Sequence, residues 1–211
     1  MSADGPPSHD VAGAYGPAQF WPQVEAVPVE LGLTRWPNPP IDEQNDRSYA
    51  YAEGDVTAVL MRFWYPYPGH WRTRMEVQIR HAPIEDVLDS YYETTGTASL
   101  ASWRPTLTMS ANLVLLPTGP TTVLSEPDLE EVARCTRDAY ERLPSMARSV
   151  RELKSLFTLL TRFRAVEKVV AAHLLLGNEP RAHAYLDDLS RAPRPSTIDR
   201  YDSIRRWLDE R

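Results

Sequence analysis

The stretch from Arg47 to Arg80, RSYAYAEGDVTAVLMRFWYPYPGHWRTRMEVQIR, constrains this chain more than any other. It is the densest run of β-branched and aromatic residues, side chains that favour the pleated surface of a sheet. Gly54-Asp55 interrupts it once and Pro66-Tyr67-Pro68-Gly69 again, which predicts three antiparallel strands joined by two turns. The middle segment, Val56 to Tyr65, is apolar on both parities: Val59, Met61 and Phe63 against Val56, Leu60 and Trp64. Such a strand is central and covered on both sides, and only Arg62 interrupts it. In the third segment Met75, Val77 and Ile79 alternate with Arg74, Glu76, Gln78 and Arg80, so one face is buried and one is wet.

Helical period takes over beyond this stretch. Ile84, Val87, Leu88 and Tyr91 predict a short amphipathic helix, Thr94 to Ser102 a loop, and the alternation from Leu107 to Leu115 a fourth strand between Pro105 and Pro117. Ser125 with Asp128 predicts a capping box ahead of a stripe from Leu129 to Leu143, with Pro144 kinking or ending that helix. Ser149 with Glu152 opens the next, through Leu160. A stripe from Phe163 to Leu174 runs to Gly177, a good left-handed stop, and Asn178 caps a following helix with Pro180 in its first turn. Ser196 and Asp199 precede a last helix, Ile198 to Leu208.

The expected fold is therefore α+β: a mainly antiparallel four-stranded sheet (about 47–116) packed against a C-terminal set of about five helices (about 126–209). The Gly-, Pro- and Ser-rich residues 1–19 read as a disordered tail. Residues 20–190 read as one domain that opens with a short helix between Phe20 and Leu33, and 191–211 as a linker and a helix packing on it.

Composition narrows the partners. The chain has 211 residues, 42% apolar and 25% charged, with a net charge of −6. An acidic chain is poorly suited to nucleic acid, whose binding rests on Lys and Arg. No apolar run approaches the roughly 18–20 residues that cross a bilayer, and the N-terminus has no basic and apolar segments of a signal peptide. Cys135 is the only cysteine, which excludes an internal disulfide and a cysteine-based zinc cluster. A cytoplasmic location is expected. Only Lys154 and Lys168 are lysines against a large number of arginines, a bias of G+C-rich bacterial coding sequences.

A short helix ending in VELGL, the strands of RSYAYAEGDVTAVLMRFW and RTRMEVQIR, the segment YERLPSM…SVRELKSL and the hairpin AAHLLLGNEPRAHAYLDDL together set a pattern. In the order of these elements, from about Phe20 to Leu189, the chain resembles a family of uncharacterised bacterial domain-of-unknown-function proteins with an α+β, immunity-like character. The resemblance implies a binding or immunity role beside toxins and carries over no catalytic residue. The Pro-rich insert at Trp36 to Pro40 departs from the family's tight helix-to-strand link.

Candidate chemistry is sparse. His173 and His183 fall on facing helices of the Gly177-Asn178 hairpin, with Glu167, Glu179 and Asp187 as the nearest further ligands, so a metal or carboxylate enzyme site near this hairpin is the alternative function. The plainer reading of a histidine on an apolar stripe is a packed core residue. Glu85-Asp86, Glu130-Glu131 and Asp187-Asp188 are adjacent pairs whose side chains diverge by about 100° on a helix, which makes them surface charges. Cys135 reads as a buried thiol without an activating cation. Phosphate-cradling glycine motifs are absent. Catalytic residues, metal ligands and cofactors are thus not expected.

The expected function is non-enzymatic protein binding. Arg62 and Trp64 on the middle strand, Arg72, Arg74 and Arg80 on the next, and Trp71 beside them form the candidate partner-binding set. Arginine with tryptophan is the composition of binding hot spots, and an acidic protein surface is the partner it fits. The plainer reading is a solvated sheet face with arginine stems lying over apolar neighbours.

Overall fold

The turns set the strand order. A computed structural model of the chain describes residues 19–36, 48–67, 70–96, 104–110, 123–124, 129–191 and 198–211. After a 3₁₀ turn at Trp21–Gln23 and helix α1 (Ala26–Glu30), strand β1 (Thr34–Arg35) pairs antiparallel with β2 (Tyr49–Glu53), Thr34 opposite Ala50. Gly54, at φ +60, begins the two-residue turn into β3 (Val56–Tyr67). Glycine adopts that left-handed backbone at no steric cost. β4 (His70–His81) follows, then helix α2 (Ala82–Thr95), which ends at left-handed Gly96. β5 (Leu107–Ser110) and β6 (Val123–Leu124) complete the strands. The sheet runs β1-β2-β3-β4-β5, and β6 also lies on β4.

The α+β class and the antiparallel sheet with a largely helical C-terminal part hold. The expected count of four strands is low, because β1 and β6 are two residues each and too short to leave an alternation in the sequence. Burial follows the predicted patterns closely. Val56 and Ala58 to Arg62 are buried without a break, while Thr73, Met75, Val77 and Ile79 are buried in β4 between more exposed neighbours.

Five helices follow: α3 (Leu129–Arg151), α4 (Leu153–Arg162), α5 (Val166–Leu175), α6 (Glu179–Ser190) and α7 (Ile198–Asp209). With α1 and α2 they make seven among the described residues. Pro144 does not end the helix it stands in: α3 runs through it to Arg151, and the break comes at Glu152, extended at ψ 118. The Ser125/Asp128 box, Ser196, most of the Pro-rich insert and the tail lie outside the described residues.

The chain divides into two compact units interleaved in sequence. One holds Met1–Tyr51, Val59–Val77 and Met109–Pro144; the other holds Ala52–Ala58, Gln78–Thr108 and Ser145–Arg211. In the first, Phe20, Trp21, Val24, Trp64, Val132 and Ala133 pack together, with Phe20 edge-on to both Trp21 and Trp64 at 4.9 Å. Aromatic pairs in that geometry add attraction beyond their buried area. In the second, α5 packs on α2, α4 and α6, and α7 packs on α6 and α2. Leu88, Leu156, Leu160, Val169, Leu186, Ile204 and Leu208 form its interior. Trp207 packs against Tyr91 at 5.5 Å and donates its indole N–H to Ser90 Oγ at 2.9 Å.

Candidate binding cleft

The residues of the predicted sheet-face set are placed in different surroundings. Arg62 and Trp64 are buried, 8% and 3% exposed, because β3 is central in the sheet and the face they share is packed against Phe20 and the α3 residues Val132, Ala133 and Thr136. Arg62 is instead a core cation. Its guanidinium donates to Thr73 Oγ1 at 3.0 Å and Thr136 Oγ1 at 2.6 Å, and lies 5.9 Å from the Phe20 ring centroid. Both hydroxyls spend their own protons on backbone carbonyls, Thr73 on Phe63 and Thr136 on Val132, which leaves their oxygens to accept from the arginine. Burial lowers the Arg62 pKa to about 10, so it stays charged at neutral pH. Arg74 remains half exposed, paired with Glu76 at 3.1 Å and lying 5.0 Å from the Phe63 ring. Arg80 reaches Asp86 at 4.0 Å. For Trp71 and Arg72 the structure describes the backbone, opposite Leu124 and Val123.

A second buried charge was hidden in the sequence. Glu85, counted among the surface carboxylates, is fully buried, because α2 turns its Ile84–Leu88–Tyr91 arc inward and Glu85 lies within that arc. Lys168 meets it. The ammonium donates to Glu85 Oε1 at 2.7 Å and Oε2 at 2.9 Å, and to the Tyr92 hydroxyl at 2.5 Å. All three of its N–H groups are then used. Thr106 donates to Glu85 Oε1 at 2.8 Å and accepts the His81 backbone N–H at 2.8 Å. Burial lowers the Lys168 pKa against the pull of Glu85, and burial with Glu85 nearby pushes the Tyr92 phenol far up. Buried on both sides of the ion pair, this network is a pin between α2 and α5. Lys168 stands in α5 among Val166, Val169, Val170 and Ala171, all buried; a lysine in so apolar a run was the signal for it.

The histidine hairpin borders a cleft. His183 lies 3.9 Å from Glu179 and 3.7 Å from Asp209, whereas His173 stacks edge-on against Phe157 at 4.7 Å. Among the described residues no three His, Cys, Asp or Glu side chains are grouped to hold a metal ion. Burial lowers the His173 pKa, and Arg181 reinforces this. Around His173 opens a cavity of about 310 Å³, lined by Lys154, Phe157, Leu176, Asn178 and Arg181 as well. α4 supplies Lys154 and Phe157, α5 leads into Leu176, and Asn178 and Arg181 begin α6. Leu175 and Leu176 at the end of α5 are 38% and 56% exposed. Among the described residues neither Lys154 nor Arg181 has a carboxylate partner, and Asn178 does not cap α6 with its side chain. Glu179, beside them in sequence, is directed to His183. The cleft is mainly apolar, and two cations without a carboxylate partner among the described residues belong to its lining.

Fold and site together define an α+β chain with two buried charged clusters, Arg62 with its two threonines and Glu85 with Lys168, and a cleft bordered by α4, α5 and α6. Comparison with family models, curated proteins and solved structures matches none of them to this chain. No helix among the described residues is long and apolar enough to cross a membrane.

Proposed function

We propose that this chain is a non-enzymatic binding protein that takes a protein partner with an acidic surface, and that the receptor is the cleft of Lys154, Phe157, His173, Leu176, Asn178 and Arg181. The cleft replaces the sheet face as the contact surface, since Arg62 and Trp64 are buried. One observation carries the reading. In a chain of net charge −6, two cations without carboxylate partners among the described residues flank an exposed apolar floor. A partner's carboxylates gain these donors without breaking an existing ion pair, and its apolar side chain covers Leu176 and Phe157, removing apolar surface from water. Apolar anchors beside arginine are the usual composition of binding hot spots.

The test is titration of the isotope-labelled chain with two amidated peptides, each with one phenylalanine, flanked by glutamates in one and by lysines in the other. Amide shifts confined to residues of α4–α6 and seen only with the acidic peptide support the reading. Leu176→Asp with Arg181→Glu is expected to abolish them while the urea midpoint hardly moves, both residues being exposed. Equal shifts with the lysine peptide would sink it.

A further inference from the structure

We infer that the occupant of the cleft is a chain terminus: the partner's last residue, an apolar side chain carrying a free C-terminal carboxylate. This rests on the binding reading above and names the partner's chemistry. The cavity, at about 310 Å³, sits at the small end of ligand pockets, which span about 300–1,000 Å³. That is room for one large apolar residue and its carboxylate, with the rest of the partner lying outside the cleft. The lining divides in the same way. Phe157 and Leu176 give a mainly apolar surface, and Lys154, Asn178 and Arg181, residues that carry N–H donors, complete the lining from two different helices and the turn between α5 and α6.

The donor types fit a carboxylate. The guanidinium of Arg181 presents a planar fork that takes both oxygens of a carboxylate, the ammonium of Lys154 is a point charge, and the Asn178 amide has two N–H groups. The described residues place no carboxylate in an ion pair with Lys154 or Arg181, so the donors are not already neutralised. A terminal residue brings its carboxylate and its apolar side chain on one Cα, within a few bonds of each other. An internal acidic residue holds its carboxylate on a separate flexible stem, and the chain must then leave the cleft in both directions.

Three octapeptides decide between these. The first ends in leucine with a free carboxylate, the second is the same sequence with a C-terminal amide, and the third is amidated with an internal Glu-Leu-Glu. Fluorescence anisotropy gives affinity, and amide shifts in α4–α6 give location. The free acid is expected to bind at least about ten-fold more tightly than its amide, a difference of about 1.4 kcal/mol. Arg181→Met and Asn178→Ala, both away from the interior, should each shrink that preference while the circular dichroism spectrum stays unchanged. Equal affinity of acid and amide, or tightest binding of the internal acidic peptide, overturns the terminus assignment and leaves the binding reading standing. No cleft shifts with any of the three overturns both.

Discussion

The Lys168 ammonium lies between both carboxylate oxygens of Glu85, at 2.7 and 2.9 Å, and the two side chains are 7% and 0% exposed. Their sequence separation of 83 residues makes this a long-range tie between α2 and α5. Taking two charges out of water is costly, and their attraction offsets that cost only while both are present. Lys168→Met alone, leaving Glu85 buried with Thr106 as its remaining partner, is therefore expected to cost about 3–5 kcal/mol, and Glu85→Leu alone a similar amount. The double variant should recover to within about 1 kcal/mol of the parent or exceed it. Urea unfolding of the four proteins measures the coupling. Additive losses would mean that the two residues act separately.

Arg62 poses the opposite case, a buried cation with no carboxylate beside it among the described residues. Its Nε finds no acceptor there, so part of its desolvation goes uncompensated. Arg62→Met keeps the stem and removes the charge, and its stability should lie within about 1 kcal/mol of the parent. Arg62→Ala removes the stem as well and should cost about 2–5 kcal/mol through the cavity it leaves. If the Met variant proves as damaging as the Ala variant, the hydrogen bonds to Thr73 and Thr136 matter more than the packing.

These two clusters also mark where sequence reasoning stops. The strands from Tyr49 to His81 were legible because burial on one face writes a period of two, and burial on both faces writes a continuous apolar run. Alternation alone could not tell that Arg62, in the covered strand, was inside: an arginine in such a strand is either an edge or a core cation, and the choice depends on Thr136, 74 residues away. Glu85 likewise looked like one of many helix carboxylates until Lys168 came to meet it. The cleft was missed for another reason. Phe157 and His173 fit helical stripes and read as core, and the cavity exists only because α4, α5 and α6 leave a gap between them.

The ends of α4 and α5 offer a clean measure of backbone cost. Both helices close with the same hydrogen bonds: Ala165 N–H to Leu160 O at 3.0 Å, and Asn178 N–H to His173 O at 2.9 Å. The left-handed residue is Gly177 at φ +65 in one and Arg164 at φ +55 in the other. A side chain in that conformation costs about 1–2 kcal/mol. Arg164→Gly should thus raise stability by up to about 1 kcal/mol, the gain being reduced by the extra freedom of glycine in the unfolded chain. Gly177→Ala should lower it by about 1 kcal/mol, and purely through the backbone, since a Cβ there meets nothing within 4 Å. Thermal unfolding of the two variants in parallel checks both signs. Shifts of the same sign would remove the backbone explanation.

Acidification should weaken the fold through His81. This residue is 6% exposed, its Nδ1 is buried without a partner among the described residues, and burial lowers its pKa below the ordinary 6.5, against opposing pulls from Asp55 and the Arg151 carbonyl. The folded chain then resists a proton that the unfolded chain accepts. Stability from this source is fully present above the unfolded value and falls as the pH drops below about 6.5 toward the folded one, with a slope of at most about 1.4 kcal/mol per pH unit for a single group. His173, shifted in the same direction by burial and Arg181, adds to the slope. Urea unfolding between pH 7.5 and 5 should therefore show a falling stability, the slope should flatten in His81→Leu, and it should flatten further when His173→Leu is added. An unchanged slope in the double variant would assign the acid sensitivity to the carboxylates.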